Sequence, residues 1–339
     1  MPTLQDISRA AGVSVKTVSR AMRGEAYVAA ETLARIQESA KRLGYRPNLA
    51  ARGLKTGRKQ EIVLVLWSID SMGEAAEIYM AKIRALDQRL REEGLPLTIR
   101  VEAAEKHAGS LPEKLLVDLE VERPLGVALL PTKGITLQRV AKRLEAAGIA
   151  TIVLDATEGG EFDNVLVNRE RGITEAIAYL HEIGRRRIAY VGPDNAENRL
   201  QGYNEGIASV GLSPIYHYLP HVGKSESLFL LGRSAAKNIL NLSEHPDALI
   251  AYSDPVALGL LEAFKEQGVE VPGAIAIVGF DDKSAAVLAT PRLTTIAHPN
   301  HEIGTAAAEI LLKKLNGAPA PDAGWSTSIP ARLVIRESA

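Results

Sequence analysis

Lys16 and Arg20 stand four residues apart in the stretch VSVKTVSRAM, residues 13–22, a spacing that brings both cations onto one side of a helix. With Val18, Ala21 and Met22 as the inward positions, the outer side carries Val15, Lys16, Thr17, Ser19 and Arg20. Cations there can donate to guanine or phosphate. Val15 offers an apolar contact to a thymine methyl, and the hydroxyls of Ser14, Thr17 and Ser19 can bond phosphate oxygens. This is the chemistry of a major-groove reader. A plain three-helix bundle with a polar face has the same periodicity, so the rest of the chain must separate the two.

A second set of polar groups falls where apolar, β-rich runs end. Asp155 closes ATIVLD, Asn195 and Arg199 follow RIAYVGP, Ser253 and Asp254 close ALIAYSD, and Asp281 follows AIAIVGF. In an open α/β sheet, ligands bind where the carboxyl ends of strands converge. Carboxylates and a guanidinium fork suit directional recognition of polar ligands. Taken singly, each could cap a helix or bridge two lobes, and Asp254, just ahead of Pro255, reads as a cap.

Catalysis finds no such constellation. The seven histidines show no metal spacing, and Pro220 between His217 and His221 argues against a helical pair. There is no phosphate-binding loop, nucleophile elbow or dinucleotide-binding glycine pattern. Cysteine is absent, so neither a disulfide framework nor a thiolate metal site is possible. The expectation is a non-enzyme without cofactor or metal. No apolar run approaches the roughly 20 residues of a membrane span, and the first residues lack the apolar core of a signal peptide, so a cytoplasmic protein is expected.

The elements that must position these groups fall into two unlike regions. Residues 1–60 hold twelve Lys and Arg against four Asp and Glu, whereas the whole chain holds 40 against 41, so a basic head precedes an acidic body. A folded basic head points to a polyanion partner. Thr3 can cap a first helix with Asp6 three residues on, and Ile7, Ala10 and Ala11 recur on its inner side. Gly12 ends it and Ser14 caps the next, which makes a helix-turn-helix. A third helix carries Leu33, Ile36, Ala40 and Leu43 inward and stops at Gly44. From Glu61 onward, strand runs at EIVLVLW, PLTIRV, GVALLP, ATIVLD, NVLVN, RIAYVGP, ALIAYSD and AIAIVGF alternate with helical stretches, the pattern of a parallel α/β body. Its length calls for two doubly wound subdomains.

The pieces TLQDISRAAGVSVKTVSRAM and LGYRPNLAARGL, followed by this α/β body, closely resemble the lactose repressor (LacI/GalR) family over essentially the whole chain. The resemblance implies an all-α helix-turn-helix head (1–46), a hinge helix and linker (47–59) and a periplasmic-binding-protein-like core (60–339) of two doubly wound parallel-sheet subdomains. It sets their limits at about 60–162 with 297–322, and 163–296 with 323–339. It implies a homodimer, without a membrane partner, on palindromic double-stranded operator DNA. The DNA-facing set is then Thr3, Leu4, Ser14, Val15, Lys16, Thr17, Ser19, Arg20, Arg23, Tyr27, Thr32, Asn48, Ala51, Arg52 and Leu54. Leu54 would be a minor-groove wedge, an apolar side chain that unstacks a base step in exchange for contacts to bent DNA; packing under the core is the other role open to it.

Asp155, Arg199, Ser253 and Asp281 match family positions that bond a small effector, typically a sugar or purine. Asn195 joins them as a strand-end residue. Where sugar-binding members carry an Asn-Pro-aromatic-aromatic stretch, this chain offers Ser68, Asp70 and Tyr79, so no aromatic stacking platform is assured. Asn168 stands where many members have Asp. Ala29 replaces a frequent Ser cap, a loss of about 1 kcal/mol. The reading is therefore a bacterial transcriptional regulator, a repressor first, with a sugar-like effector ahead of a purine or other metabolite. A solute-binding receptor without a DNA role is the alternative; it would lack the basic head.

Overall fold

The computed structural model describes residues 2–22, 28–45, 58–67, 72–102, 113–130, 137–156, 162–219, 227–321 and 324–339. In the head, α1 (Leu4–Ala11) begins with a reciprocal cap: the Thr3 hydroxyl accepts from the Asp6 N–H and the Asp6 carboxylate from the Thr3 N–H at 2.8 Å. Gly12, at φ 66°, lets the chain leave the helix on the left-handed side. Ser14 then caps α2 (Val15–Ala21), accepting from the Thr17 N–H at 3.1 Å. The third helix, α3 (Ala30–Arg42), starts at Ala29 with no side-chain cap.

Ile7, Ala11, Val18, Ala21, Ile36 and Ala40 form the buried head core, with Leu4, Val13, Met22, Val28, Leu33 and Tyr45 packed around it. Two expected core positions differ. Ala10 is exposed, because it lies about 100° around the helix from Ala11. Leu43 is 37% exposed at the end of α3. There the chain turns at Gly44, and the Tyr45 N–H bonds the Ala40 carbonyl, putting the tyrosine against the core instead.

The body contains strands β1 (Lys59–Trp67), β2 (Leu97–Glu102), β3 (Pro124–Leu130), β4 (Ala150–Ala156), β5 (Asn164–Asn168), β6 (Ile188–Gly192), β7 (Ile215–Tyr218), β8 (Ala248–Ala251), β9 (Ala276–Asp281), β10 (Thr294–Ala297), β11 (Ser326–Pro330) and β12 (Arg332–Val334). They form two six-stranded sheets, ordered β11-β5-β4-β3-β1-β2 and β12-β10-β9-β8-β6-β7. Every pairing is parallel except β10 with β12. The helices are α4 (Met72–Arg91), α5 (Glu113–Glu122), α6 (Leu137–Ala146), α7 (Arg169–Glu182), α8 (Glu197–Ser209), α9 (Leu228–Leu240), α10 (Asp254–Glu266), α11 (Ser284–Leu288) and α12 (Asn300–Leu315). β3 and β6 are buried at every residue, as strands covered on both faces must be.

The sheet pairing moves the expected subdomain limits. β5 pairs with β4 and β11 with β5, so both extend the first sheet, and the chain crosses to the second only after Asn168 and again after Pro330. Periodicity finds a strand but not its sheet. The strands β7 (IYHY) and β10 (TTIA) are mixed in polarity and do not stand out as apolar runs, unlike the equally short β8.

One close helix contact positions the site. α12 crosses α4 at Gly304, where a Cβ would lie 2.2 Å from the Lys82 carbonyl oxygen and 2.8 Å from the Ala85 Cβ. Only glycine permits that approach.

Candidate ligand cleft and nucleic-acid interface

At the carboxyl end of β4 the pairing with β5 slips between Leu154 and Ala156, and Asp155 takes φ 56°. The irregularity frees Asp155 from the ladder. Its Oδ2 accepts from the Lys82 ammonium, and its Oδ1 accepts from Arg169 Nη2 and lies 3.4 Å from His298 Nε2. Lys82 comes from α4, Arg169 from the start of α7 and His298 from just after β10, so three distant segments meet on one carboxylate. Burial works to raise the Asp155 carboxyl. The charges around it, Lys82 foremost, outweigh burial and hold it well below the ordinary range. Burial also lowers the Lys82 ammonium and the His298 imidazole, against the pull of Asp155.

Arg169 Nη2 lies 3.2 Å from His298 Nε2. Nε2 thus stands between a donor, the Arg169 guanidinium, and an acceptor, the Asp155 carboxylate oxygen at 3.4 Å.

The second sheet adds its own strand-end groups. Arg199, on α8, is clamped between the rings of Tyr252 (4.4 Å) and Phe280 (4.3 Å) and faces Asp281 at 3.6 Å. Asp281 has φ 111° and Asp282 φ 54°, so the backbone turns sharply as it leaves β9. The two groups sense each other: Asp281 acts on the Lys82 ammonium, and Tyr79, 5.7 Å from that ammonium, feels both Asp155 and Tyr252. Ser284 and Glu77 join the lobes nearby, through the Ser284 N–H at 2.9 Å.

Most of the buried side-chain polar atoms left without a partner among the described residues belong to residues at these strand ends, Asp87 Oδ1 and His217 Nε2 lying elsewhere. The strand-end atoms include Arg169 Nη1, Arg199 Nε, His298 Nδ1, Ser253 Oγ and Asn300 Oδ1. Arg169, His298 and Ser253 are each at least nine-tenths buried. Unpaired buried donors are costly, so such a cluster is a place built for something to bind.

Of the cleft residues expected from sequence, Tyr79, Asp155, Arg199, Ser253 and Asp281 fall in or beside this constellation. Ser68 and Asp70 lie outside the described residues. Asn195 is exposed in a turn and makes no described contact, because α8 turns Arg199 and not the preceding turn toward β9. Asp155 differs from the expected free acceptor, as both its oxygens already hold internal cations. Asp254 is fully buried and does not cap. It accepts from Thr295 Oγ1 at 2.5 Å and from the Lys283 N–H at 2.7 Å. Burial, with Asp281 adding like charge against the Thr295 bond, pushes its carboxyl up to about 7.

Sequence reading missed Lys82, Arg169, His298, Tyr252 and Phe280. Lys82 carried a signal: with Tyr79, Ile83, Leu86 and Leu90 it occupies the inner stripe of α4, an odd place for a lysine. Arg169 follows the end of β5, and His298 follows β10, a strand half threonine that does not read as an apolar run.

A separate hollow of about 720 Å³, lined by Arg58, Ile149, Asp163, Lys314 and Trp325 among others, lies at the amino ends of β4, β5 and β11. Lys314 there is saturated by Glu145, Asp163 and the Thr151 carbonyl. It is the wrong end of the sheet for a cleft ligand.

In the head, Val15 (40% exposed), Lys16 and Arg20 are exposed on α2, while Thr17 and Ser19 are half-buried. The Thr17 hydroxyl lies 2.8 Å from that of Ser14, so the two are already joined to each other. Thr3 is exposed, Thr32 half-buried, and Leu4 packs against the head core. Arg23, Tyr27, Asn48, Ala51, Arg52 and Leu54 lie outside the described residues. Among the described residues no helix is long and apolar enough to cross a membrane, and no cluster of three or more His, Asp or Glu could hold a metal.

Residues 3–48 match the family described as bacterial regulatory proteins, lacI family, and residues 177–339 match the periplasmic binding protein-like domain. The transcriptional regulator GntR of Pseudomonas aeruginosa is 30% identical over 344 residues, covering 99% of this chain and 95% of the relative. Among solved structures, the transcriptional regulator CelR–cellobiose complex superposes with a TM-score of 0.67 at 24% identity over 100% of both chains. The lac repressor dimer bound to operator and the anti-inducer ONPF gives 0.68 at 24%, over 99% of this chain and 98% of that one. With its capped helix-turn-helix ahead of two parallel-sheet lobes, and at this identity over nearly its full length, the chain belongs to the lacI family of bacterial regulatory proteins, the DNA-binding regulators of transcription.

Proposed function

We propose that the chain is a repressor that binds a palindromic operator as a homodimer and is controlled by a small polar effector, sugar-like in its hydroxyl-rich body, held between the lobes. The observation that carries the DNA half is the division of α2: Val18 and Ala21 are buried while Val15, Lys16 and Arg20 stand exposed side by side. An exposed apolar contact beside two cations suits a major groove. The hinge segment 48–54, with Leu54 as wedge, extends the reading to the minor groove. Exposed apolar groups on both lobes, including Val121 (76%), Ile99 and Val101 on one and Leu230 (61%) and Leu288 (82%) on the other, favour a second copy as partner. The cleft half rests on Arg199 and Asp281 facing Lys82 and Asp155 across the lobes. A ligand touching both lobes favours one arrangement of them, which is what couples the cleft to the head. The site of action is the cytoplasm, at the nucleoid.

Selection from a random duplex library with the purified chain tests this. The expected product is an inverted repeat, bound by two chains, with affinity falling steeply as salt rises. An asymmetric site bound by one chain, or no enrichment, overturns it.

A further inference from the structure

We infer that the effector carries an oxyanion, a carboxylate or a phosphate ester, which docks among Arg169, Arg199 and His298. The inference rests on the cleft being an effector site and names the chemistry of what enters it.

Two observations carry it. The first is the kind of atom left unpaired. Arg169 Nη1 and Arg199 Nε can only donate, and His298 Nδ1 donates or accepts according to its tautomer. Ser253 Oγ can donate as well, and Asn300 Oδ1 is the one unpaired atom of the five that can only accept. A neutral sugar presents hydroxyls that both donate and accept; it would use these donors but gain little from their excess. An oxyanion presents acceptors alone and in number.

The second is charge. Among the described residues of the cluster, Lys82, Arg169 and Arg199 face only Asp155 and Asp281. Asp155 is divided between two of the cations, and Asp281 stands 3.6 Å from Arg199, beyond a hydrogen bond. Neighbouring acids are otherwise engaged. Asp282 is paired with Arg336; Asp254 is bound by Thr295 and the Lys283 N–H, its carboxyl pushed up to about 7; Glu170, bound by Asn198 at 3.0 Å, is half-buried and Glu77, bound by Ser284, is exposed, so water screens both. Excess positive charge in a desolvated place is unfavourable unless a counter-charge arrives. The flat guanidinium of Arg199, held between two rings, is poised for a planar or tetrahedral oxyanion.

The test is calorimetry on the full chain with matched probes on one skeleton each: glucose, glucuronate and glucose 6-phosphate; galactose, galacturonate and galactose 6-phosphate; ribose, ribonate and ribose 5-phosphate. The tightest probe is expected to be an acid or a phosphate, its neutral parent weaker by roughly 10- to 100-fold, the worth of a charge-assisted bond. Which anion wins tells carboxylate from phosphate. Arg199→Met, which keeps an apolar filling between Tyr252 and Phe280, is expected to cut affinity for the anion by a similar factor and that for the neutral parent by much less. Ser253→Ala, which removes no bond that holds the fold, is expected to weaken the anion less but measurably, and serves if Arg199→Met does not fold. A neutral sugar binding as tightly as its acid, or a variant weakening parent and anion alike, overturns the oxyanion while leaving the effector cleft. No heat from any probe overturns the effector reading, and the oxyanion with it.

Discussion

The head and the cleft recognise charge in opposite ways. On α2, Lys16 and Arg20 are exposed, come from one stretch of seven residues and stand among hydroxyls. In the cleft, Lys82, Asp155, Arg169 and His298 come from four separate segments and are largely withdrawn from water. Exposed cations are screened and act by releasing counterions, so their worth changes with salt and little with the rest of the protein. Buried charges act against a desolvation penalty, and each must be balanced within the fold. Loss of a head charge is therefore expected to leave folding intact and alter binding, whereas loss of a cleft charge alters the fold first.

Asp155→Ala is the strongest way to break that contrast. It leaves Lys82 and Arg169 without their shared counter-charge, and breaking a buried pair costs about 3–5 kcal/mol. Urea unfolding of the full chain measures it; a loss below 1 kcal/mol would mean that the cluster is as solvated as the head.

Asp254 gives the next effect, as a pH dependence. Its folded pKa of about 7 exceeds the ordinary 3.8, so the folded chain keeps a proton that the unfolded chain has released. The stabilisation is complete below about pH 4 and is lost as pH rises to about 7. Asp254→Asn should therefore show a shallower decline than the parent across that window. Identical slopes would show that Asp254 does not titrate there. Asp155 has the opposite sign: its depressed carboxyl contributes above the ordinary range and is lost only in acid.

On the head, Arg20→Ala should remove about 1–3 kcal/mol of discrimination between the selected site and random duplex, with unfolding unchanged. Anisotropy titrations on both duplexes measure it, and equal loss on the two reassigns Arg20 to phosphate. The smallest effect sharpens the contrast from the other side. Ala29→Ser supplies the missing cap of α3 and should stabilise the head by about 1 kcal/mol without altering cleft binding, read as a raised melting temperature of residues 1–60 alone or of the full chain. No gain would mean that the α3 start is satisfied some other way.

The sequence by itself determined whatever depends on neighbours within a turn or two. The caps at Thr3 and Ser14, the exit at Gly12, the uncapped Ala29 and the inner stripe of α2 are all local, and all were legible. So were the longer strands and the arrival of Asp155, Arg199, Ser253 and Asp281 at their ends, because a strand's period and its terminating residue are written in the same few positions. What only the tertiary structure decided is which of those ends meet, and with what. Parallel pairing put β5 and β11 into the first sheet, the contact at Gly304 set Lys82 inward, and the return of the chain after β10 brought His298 beside Arg169. Local periodicity carries no information about partners more than a hundred residues apart. A lysine on an apolar stripe becomes a binding group only when the fold supplies the carboxylate that makes its burial tolerable.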